Sequence, residues 1–127
     1  ARAARVAGDA IVFGAPNAAR GGSHIGSLGA GDMVEEGLCD ALASDYFYPS
    51  LLAAIARLDA ECRADRPALW SLVSAGPARA MGLDDRGTIA PGLRADLVLV
   101  DWPGGQTPVI AGTWVAGRCA YRSLTKG

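Results

Sequence analysis

The sequence predicts an α/β unit over residues 1–82 followed by a small β-domain, a small sheet or half-sandwich, over residues 83–127. Three observations lead there. In the first part, short apolar runs alternate with helical patterns, the order that gives parallel strands with helical crossovers. After Gly82 the helical pattern stops, and β-favouring runs alternate with Gly and Pro. The chain has 127 residues, half of them hydrophobic, which suffices for a core but only for one ordinary domain or two very small ones.

Taken in order, Ala1 to Ala7 predict the end of an Ala/Arg-rich helix stopped by Gly8. Ala10-Ile11-Val12-Phe13 predicts a buried strand, ended by Gly14-Ala15-Pro16-Asn17. A glycine-dense loop runs from Arg20 to Gly31, and a short helix from about Asp32 to Glu36 stops at Gly37. Asp40 to Ser44 predicts a second buried strand that ends at Asp45. Pro49 has the fixed φ of a first helical turn, and apolar residues at helical spacing carry that helix to Cys62. Arg66-Pro67 restarts a helix with Leu69, Leu72 and Val73 as its packing stripe. Gly76-Pro77 is expected to break it, and Ala78 to Met81 to add one turn closed by Gly82. In the second part, turns at Asp84–Gly87 and Thr88–Gly92 precede a strand over Ala95–Asp101. After the loop Pro103-Gly104-Gly105, Thr107–Val115 and Gly117–Tyr121 predict one hairpin about Ala116-Gly117.

Twelve basic residues face thirteen acidic ones, and one Lys is present, so the composition argues against nucleic acid or an anionic membrane as a partner. No apolar run is long enough to span a bilayer, and no signal-peptide pattern opens the chain. Cys39, Cys62 and Cys119 form no CxxC pair and are expected to be buried, reduced thiols of a cytoplasmic protein. The chain begins with Ala, which is expected of a piece of something longer or of a processed protein.

Two places carry candidate chemistry. Asp45 stands where a strand hands over to a helix, the edge at which α/β folds gather ligands. A carboxylate there can hold a metal or take a proton from a metal-bound water; the same position also suits a cap or turn residue. The second place is Arg20-Gly21-Gly22-Ser23-His24. Its glycines allow backbone N–H groups to form an anion nest, Arg20 supplies a planar charged fork, and Ser23 and His24 add donors. The alternative is a plain Gly-rich surface loop. His24 is the only histidine, so these residues alone make neither a complete catalytic metal site nor a Ser-His-Asp or Cys-His arrangement.

Gly87-Thr88-Ile89-Ala90-Pro91-Gly92-Leu93-Arg94-Ala95-Asp96-Leu97-Val98-Leu99-Val100-Asp101 resembles the carboxy-terminal signature of the amidohydrolase superfamily. Ser74 to Gly82 looks like the helix before it, with Gly76 where the superfamily usually has Asn. More narrowly, Gly14-Ala15-Pro16-Asn17, Arg20 to His24 and Ala43-Ser44-Asp45-Tyr46 are similar to its phosphonate-metabolism branch, while Ala18-Ala19 and Phe47-Tyr48 depart from that pattern. The resemblance implies the last strands and helices of a (β/α)8 barrel, then part of a small β-sandwich shared with amino-terminal strands of the same enzyme. A whole barrel takes about 250 residues, so only its last two strands find a place here. By the same resemblance Asp45 is the last-strand carboxylate, a metal ligand that handles the proton of the attacking water. Arg20, Gly21, Gly22, Ser23 and His24 would lie on a phosphorylated small-molecule substrate. The parent would hold zinc, iron or manganese, which this fragment would not retain, and would cleave pyrophosphate from a ribose methylphosphonate triphosphate. Two other readings stand beside it: an amidohydrolase acting on an amide or cyclic amide, and a non-catalytic domain. A part-barrel exposes sheet edges and apolar faces, so the chain is expected to self-associate or to need the missing amino-terminal part.

Overall fold

A computed structural model describes residues 1–20, 29–104 and 106–124. In chain order the elements are α1 (Arg2–Ala7), β1 (Val12–Gly14), α2 (Ala15–Arg20), α3 (Ala30–Glu35), β2 (Ala41–Ala43), α4 (Ser50–Ala60), α5 (Arg66–Ser71) and α6 (Ala75–Ala80). Then come β3 (Leu97–Asp101), β4 (Val109–Val115) and β5 (Arg118–Arg122). β1 and β2 pair in parallel, Val12 with Ala41, Phe13 with Leu42 and Gly14 with Ala43. β3, β4 and β5 form an antiparallel sheet in sequence order. Alternating α and β elements followed by a small β-sheet is the predicted order, with each of the first two strands shorter than expected.

The core gathers where α2 and α4 pack over the parallel pair. Ala15, Ala18, Val34, Cys39, Leu42, Ala54, Ile55, Leu58, Leu69 and Leu72 are its buried members. Alanines at 15, 18 and 54 have no side chain beyond Cβ, so the two helices approach closely. Ile55, Leu58 and Leu69 are almost completely enclosed, each contributing roughly 1.5–3 kcal/mol of hydrophobic stabilisation. α4 starts as the sequence predicts: Pro49 precedes it at φ −63°. α5 starts on Asp65, whose side chain accepts the Ala68 N–H at 2.9 Å, with Pro67 in the first turn. Arg63 binds Asp32, Glu35 and Glu61, tying α3 to the end of α4.

Two expectations are corrected, for one reason. Gly14-Ala15-Pro16-Asn17 is not a turn into a loop; Ala15 to Arg20 is helical. Gly76-Pro77 does not end a helix but lies in the first turn of α6. Proline removes an N–H that a first turn leaves unpaired anyway, so at both places it begins a helix. Gly76 is required there on steric grounds, because a Cβ would lie 1.8 Å from the Asp40 carbonyl oxygen. The cysteine expectation also fails in part: Cys39 is buried, whereas Cys62 and Cys119 are exposed, all three as free thiols.

The antiparallel sheet is fastened to the helices by aromatic and charged groups. The Arg66 guanidinium lies 4.6 Å from the Trp102 ring centroid and donates to the Trp102 carbonyl at 3.1 Å. Trp70 packs on Trp102 with centroids 6.2 Å apart. Gly87, at φ +96°, comes so close to Ala78 that a Cβ would meet that side chain at 2.7 Å. The Asp96 carboxylate accepts from the Ala116 N–H at 2.8 Å and Arg94 Nε at 2.9 Å, and pairs with Arg86 at 3.2 Å. It thereby fixes the β4–β5 turn, in which Ala116 and Gly117 take φ of 50° and 77°. Among the described residues, no helix is long and apolar enough to cross a membrane.

Candidate functional site

Because β1 and β2 run parallel and in register, their carboxyl ends fall at one edge. Gly14 leads straight into α2, and Ala43 into Ser44 and Asp45. Asp45 has φ +56°, a left-handed conformation that Asp tolerates better than most non-glycine residues. The turn around it is held by backbone: Phe47 N–H donates to the Ser44 carbonyl at 3.2 Å and Ser50 N–H to the Phe47 carbonyl at 3.0 Å. Ser50 is buried, and its hydroxyl donates to the same Ser44 carbonyl at 3.3 Å. The Asp45 carboxylate is exposed and forms no hydrogen bond or ion pair among the described residues. It is therefore available for chemistry and is not consumed as a helix cap.

Arg20 is the last residue of α2, about 8 Å further along the helix than Ala15 at 1.5 Å per residue. Its guanidinium folds back, Nε donating to the Pro16 carbonyl at 3.1 Å and Nη2 to Asn17 Oδ1 at 3.0 Å. Neither bond neutralises its charge, and among the described residues no carboxylate pairs with it. Asp45 and Arg20 thus follow the same sheet edge, but no hydrogen bond or ion pair joins them. Gly21, Gly22, Ser23 and His24 lie outside the described residues. Sequence reasoning missed Asn17 as the partner of Arg20; the three-residue spacing was its signal once residues 15–20 are known to be helical. It placed Tyr46 in the resembling segment and Phe47-Tyr48 outside it, but gave no role to these three exposed rings, which immediately follow Asp45.

The opposite, amino-terminal edge is structural. The Asp40 carboxylate accepts from Ile11 N–H at 2.8 Å and Arg5 Nη1 at 3.0 Å. Partial burial pulls its pKa upward, but the Ile11 and Arg5 bonds and the charges of Arg5 and Arg79 outweigh that and leave it lowered. Beside it, burial pushes the Cys39 thiol up to about 11, so Cys39 stays protonated and is no nucleophile near neutral pH.

Among the described residues no group of three or more His, Cys, Asp or Glu could hold a metal ion. One exposed carboxylate does not fit a divalent metal by itself, and any such site must take its other ligands from elsewhere. A shallow, mainly apolar pocket of about 390 Å³ lies between Arg66, Pro67, Trp70, Val98, Val100 and Trp102, with no candidate residue in its lining.

The chain belongs to the amidohydrolase family, whose model matches residues 14–121. It is 46% identical over 101 residues to the alpha-D-ribose 1-methylphosphonate 5-triphosphate diphosphatase of Escherichia coli (strain K12), an alignment covering 78% of this chain. The chain spans 27% of that relative's length. Its fold is also similar to the amidohydrolase from Thermotoga maritima MSB8, with a TM-score of 0.55 and 26% identity over 65% of this chain and 23% of that one.

Proposed function

We propose that this chain corresponds to the carboxy-terminal part of a cytoplasmic, metal-dependent hydrolase that releases pyrophosphate from a ribose methylphosphonate triphosphate. The observation that carries the reading is the 46% identity to the diphosphatase, which extends over most of the chain. In this reading β1 and β2 are the last two strands of a (β/α)8 barrel, residues 1–82 belong to the barrel, and residues 83–127 are part of a composite β-domain. The antiparallel sheet supports the last point: Val98, Leu99 and Val109 are exposed, and Trp102 Nε1 is buried without an acceptor among the described residues. Strands from outside this chain would cover the one and satisfy the other.

Within the site, Asp45 is the carboxylate for which we propose the role of metal ligand or base, its other co-ligands coming from outside this chain. A divalent ion supplies a nucleophilic water at neutral pH in such sites. Arg20 is proposed to bind the polyphosphate, together with Gly21, Gly22, Ser23 and His24. A permanent cation without a carboxylate partner among the described residues suits a polyanion far better than a neutral amide.

The test is to express the full-length enzyme with added divalent metal and measure pyrophosphate release from α-D-ribose 1-methylphosphonate 5-triphosphate. Asp45→Asn is expected to abolish turnover, and Arg20→Ala to raise KM by at least about tenfold, the loss of one charge-assisted contact. An enzyme inert toward the triphosphate but active on a cyclic amide would refute this reading.

A further inference from the structure

The rings that follow Asp45 have no part in the reading above. Tyr46, Phe47 and Tyr48 are three of the chain's eight aromatic residues (Phe 2, Trp 3, Tyr 3), and they are consecutive. Their exposures are 88%, 54% and 79%. They are not loosely attached. Phe47 N–H, Ser50 N–H and Leu51 N–H donate to the carbonyls of Ser44, Phe47 and Tyr48 at 3.2, 3.0 and 3.3 Å, and Pro49 then fixes the entry to α4. An ordered backbone therefore presents three rings to solvent, at the edge that carries Asp45.

We propose that Tyr46, Phe47 and Tyr48 bind the sugar ring of the substrate; this rests on the diphosphatase reading and adds its specificity surface. A furanose offers an apolar C–H face and a hydroxylated edge, and a tyrosine offers the complement, a π face and a phenol. Neither phenol has a hydrogen-bond partner among the described residues, so both are free to meet sugar hydroxyls. The chemistry of this patch also differs from that of the surfaces left for protein packing. On the antiparallel sheet the exposed large apolar residues are Val98, Leu99, Val109 and Val115, all aliphatic, with the single ring of Tyr121 among the described residues. Rings bearing hydroxyls, beside a carboxylate, suit a hydroxylated small molecule. Asp45 and Arg20 alone would not separate a sugar triphosphate from inorganic tripolyphosphate. The rings would.

The experiment uses the full-length enzyme and two ligands, α-D-ribose 1-methylphosphonate 5-triphosphate as substrate and tripolyphosphate as competitive inhibitor. Phe47→Ala and Tyr48→Ala are each expected to raise KM for the sugar substrate about tenfold, with a smaller change in kcat and the tripolyphosphate Ki unchanged. Tyr48→Phe, which keeps the ring, is expected to stay within about threefold of the wild type. Equal weakening toward both ligands, or toward neither, would overturn the proposal and assign the rings to the fold or to a protein partner. A wild-type enzyme that does not turn over the sugar triphosphate would instead overturn the diphosphatase reading, and this inference with it.

Discussion

Gly76 shows how little freedom a single position has where α6 meets the backbone just before β2. A Cβ would fall 1.8 Å from the Asp40 carbonyl oxygen and 2.8 Å from that of Ser71, and neither is a flexible side-chain end that could move away. Gly76→Ala is therefore expected to cost about 3 kcal/mol or more, read as a lowered urea midpoint; an unchanged midpoint would mean that helix and strand do not meet there. Asp40 gives a pH dependence. Its folded pKa is lowered, so the unfolded chain binds its proton more readily, and the ionised carboxylate stabilises the fold above the unfolded value near 3.9. That contribution is lost as pH falls through the folded value. Asp40→Asn should then lower the urea midpoint at about pH 7 and flatten its fall between about pH 5 and 3. Only a share of the slope would go, because the carboxyls of Glu61, Asp85 and Asp96 are lowered too, Glu61 and Asp85 chiefly by their bonds to Arg57 and Arg86, Asp96 by the Ala116 N–H. At this scale the sequence was legible for position, as with Asp45 just past the end of β2. It was not legible for Gly76, whose constraint comes from a carbonyl 36 positions away in the chain.

Helices and strands divide in the same way. The β4–β5 hairpin was readable because Ala116-Gly117 must take positive φ, a local demand that composition reveals. α2 was hidden because Pro16 and Asn17 also suit a turn; the deciding term is the burial of Ala15 and Ala18 against α4, which no local pattern discloses. The segment Ala95-Asp96-Leu97-Val98 was recognised by resemblance, and the structure shows what its aspartate does in this chain. Asp96 holds two arginines and the hairpin turn at once. Asp96→Ala should release that turn, seen as faster amide exchange in β4 and β5 while α4 keeps its protection. Protection lost evenly across the chain would mean that the sheet and the helices unfold as one unit. Leu69→Ala belongs with the helices: removing a fully enclosed side chain between α5 and the core should cost about 2–5 kcal/mol in chemical denaturation.

The whole molecule has more surface to cover than it covers. A parallel pair of three-residue strands has two open edges, and parallel sheets are ordinarily enclosed on both faces. Val12 on β1 is half exposed, every residue of β5 is exposed, and Val98, Leu99, Val109 and Tyr121 add apolar area on the second sheet. The described part of the chain nevertheless has a coherent core about Ile55, Leu58 and Leu69, so it folds around something while leaving its flanks unfinished. Free energy from covering those flanks is available to any partner of matching shape, and in a solution of this chain alone the partner is another copy. The isolated 127-residue chain is expected to run heavier than a monomer by light scattering, with the mass rising as concentration rises. On the reading proposed above, adding the amino-terminal part of such an enzyme should dissolve that assembly into a one-to-one complex, because strands shaped for these edges would fit them better than a second copy does. A monodisperse monomer that also ignores the remainder would show the exposed strands to be a finished surface, and would remove the main structural support for placing β1 and β2 in a larger barrel.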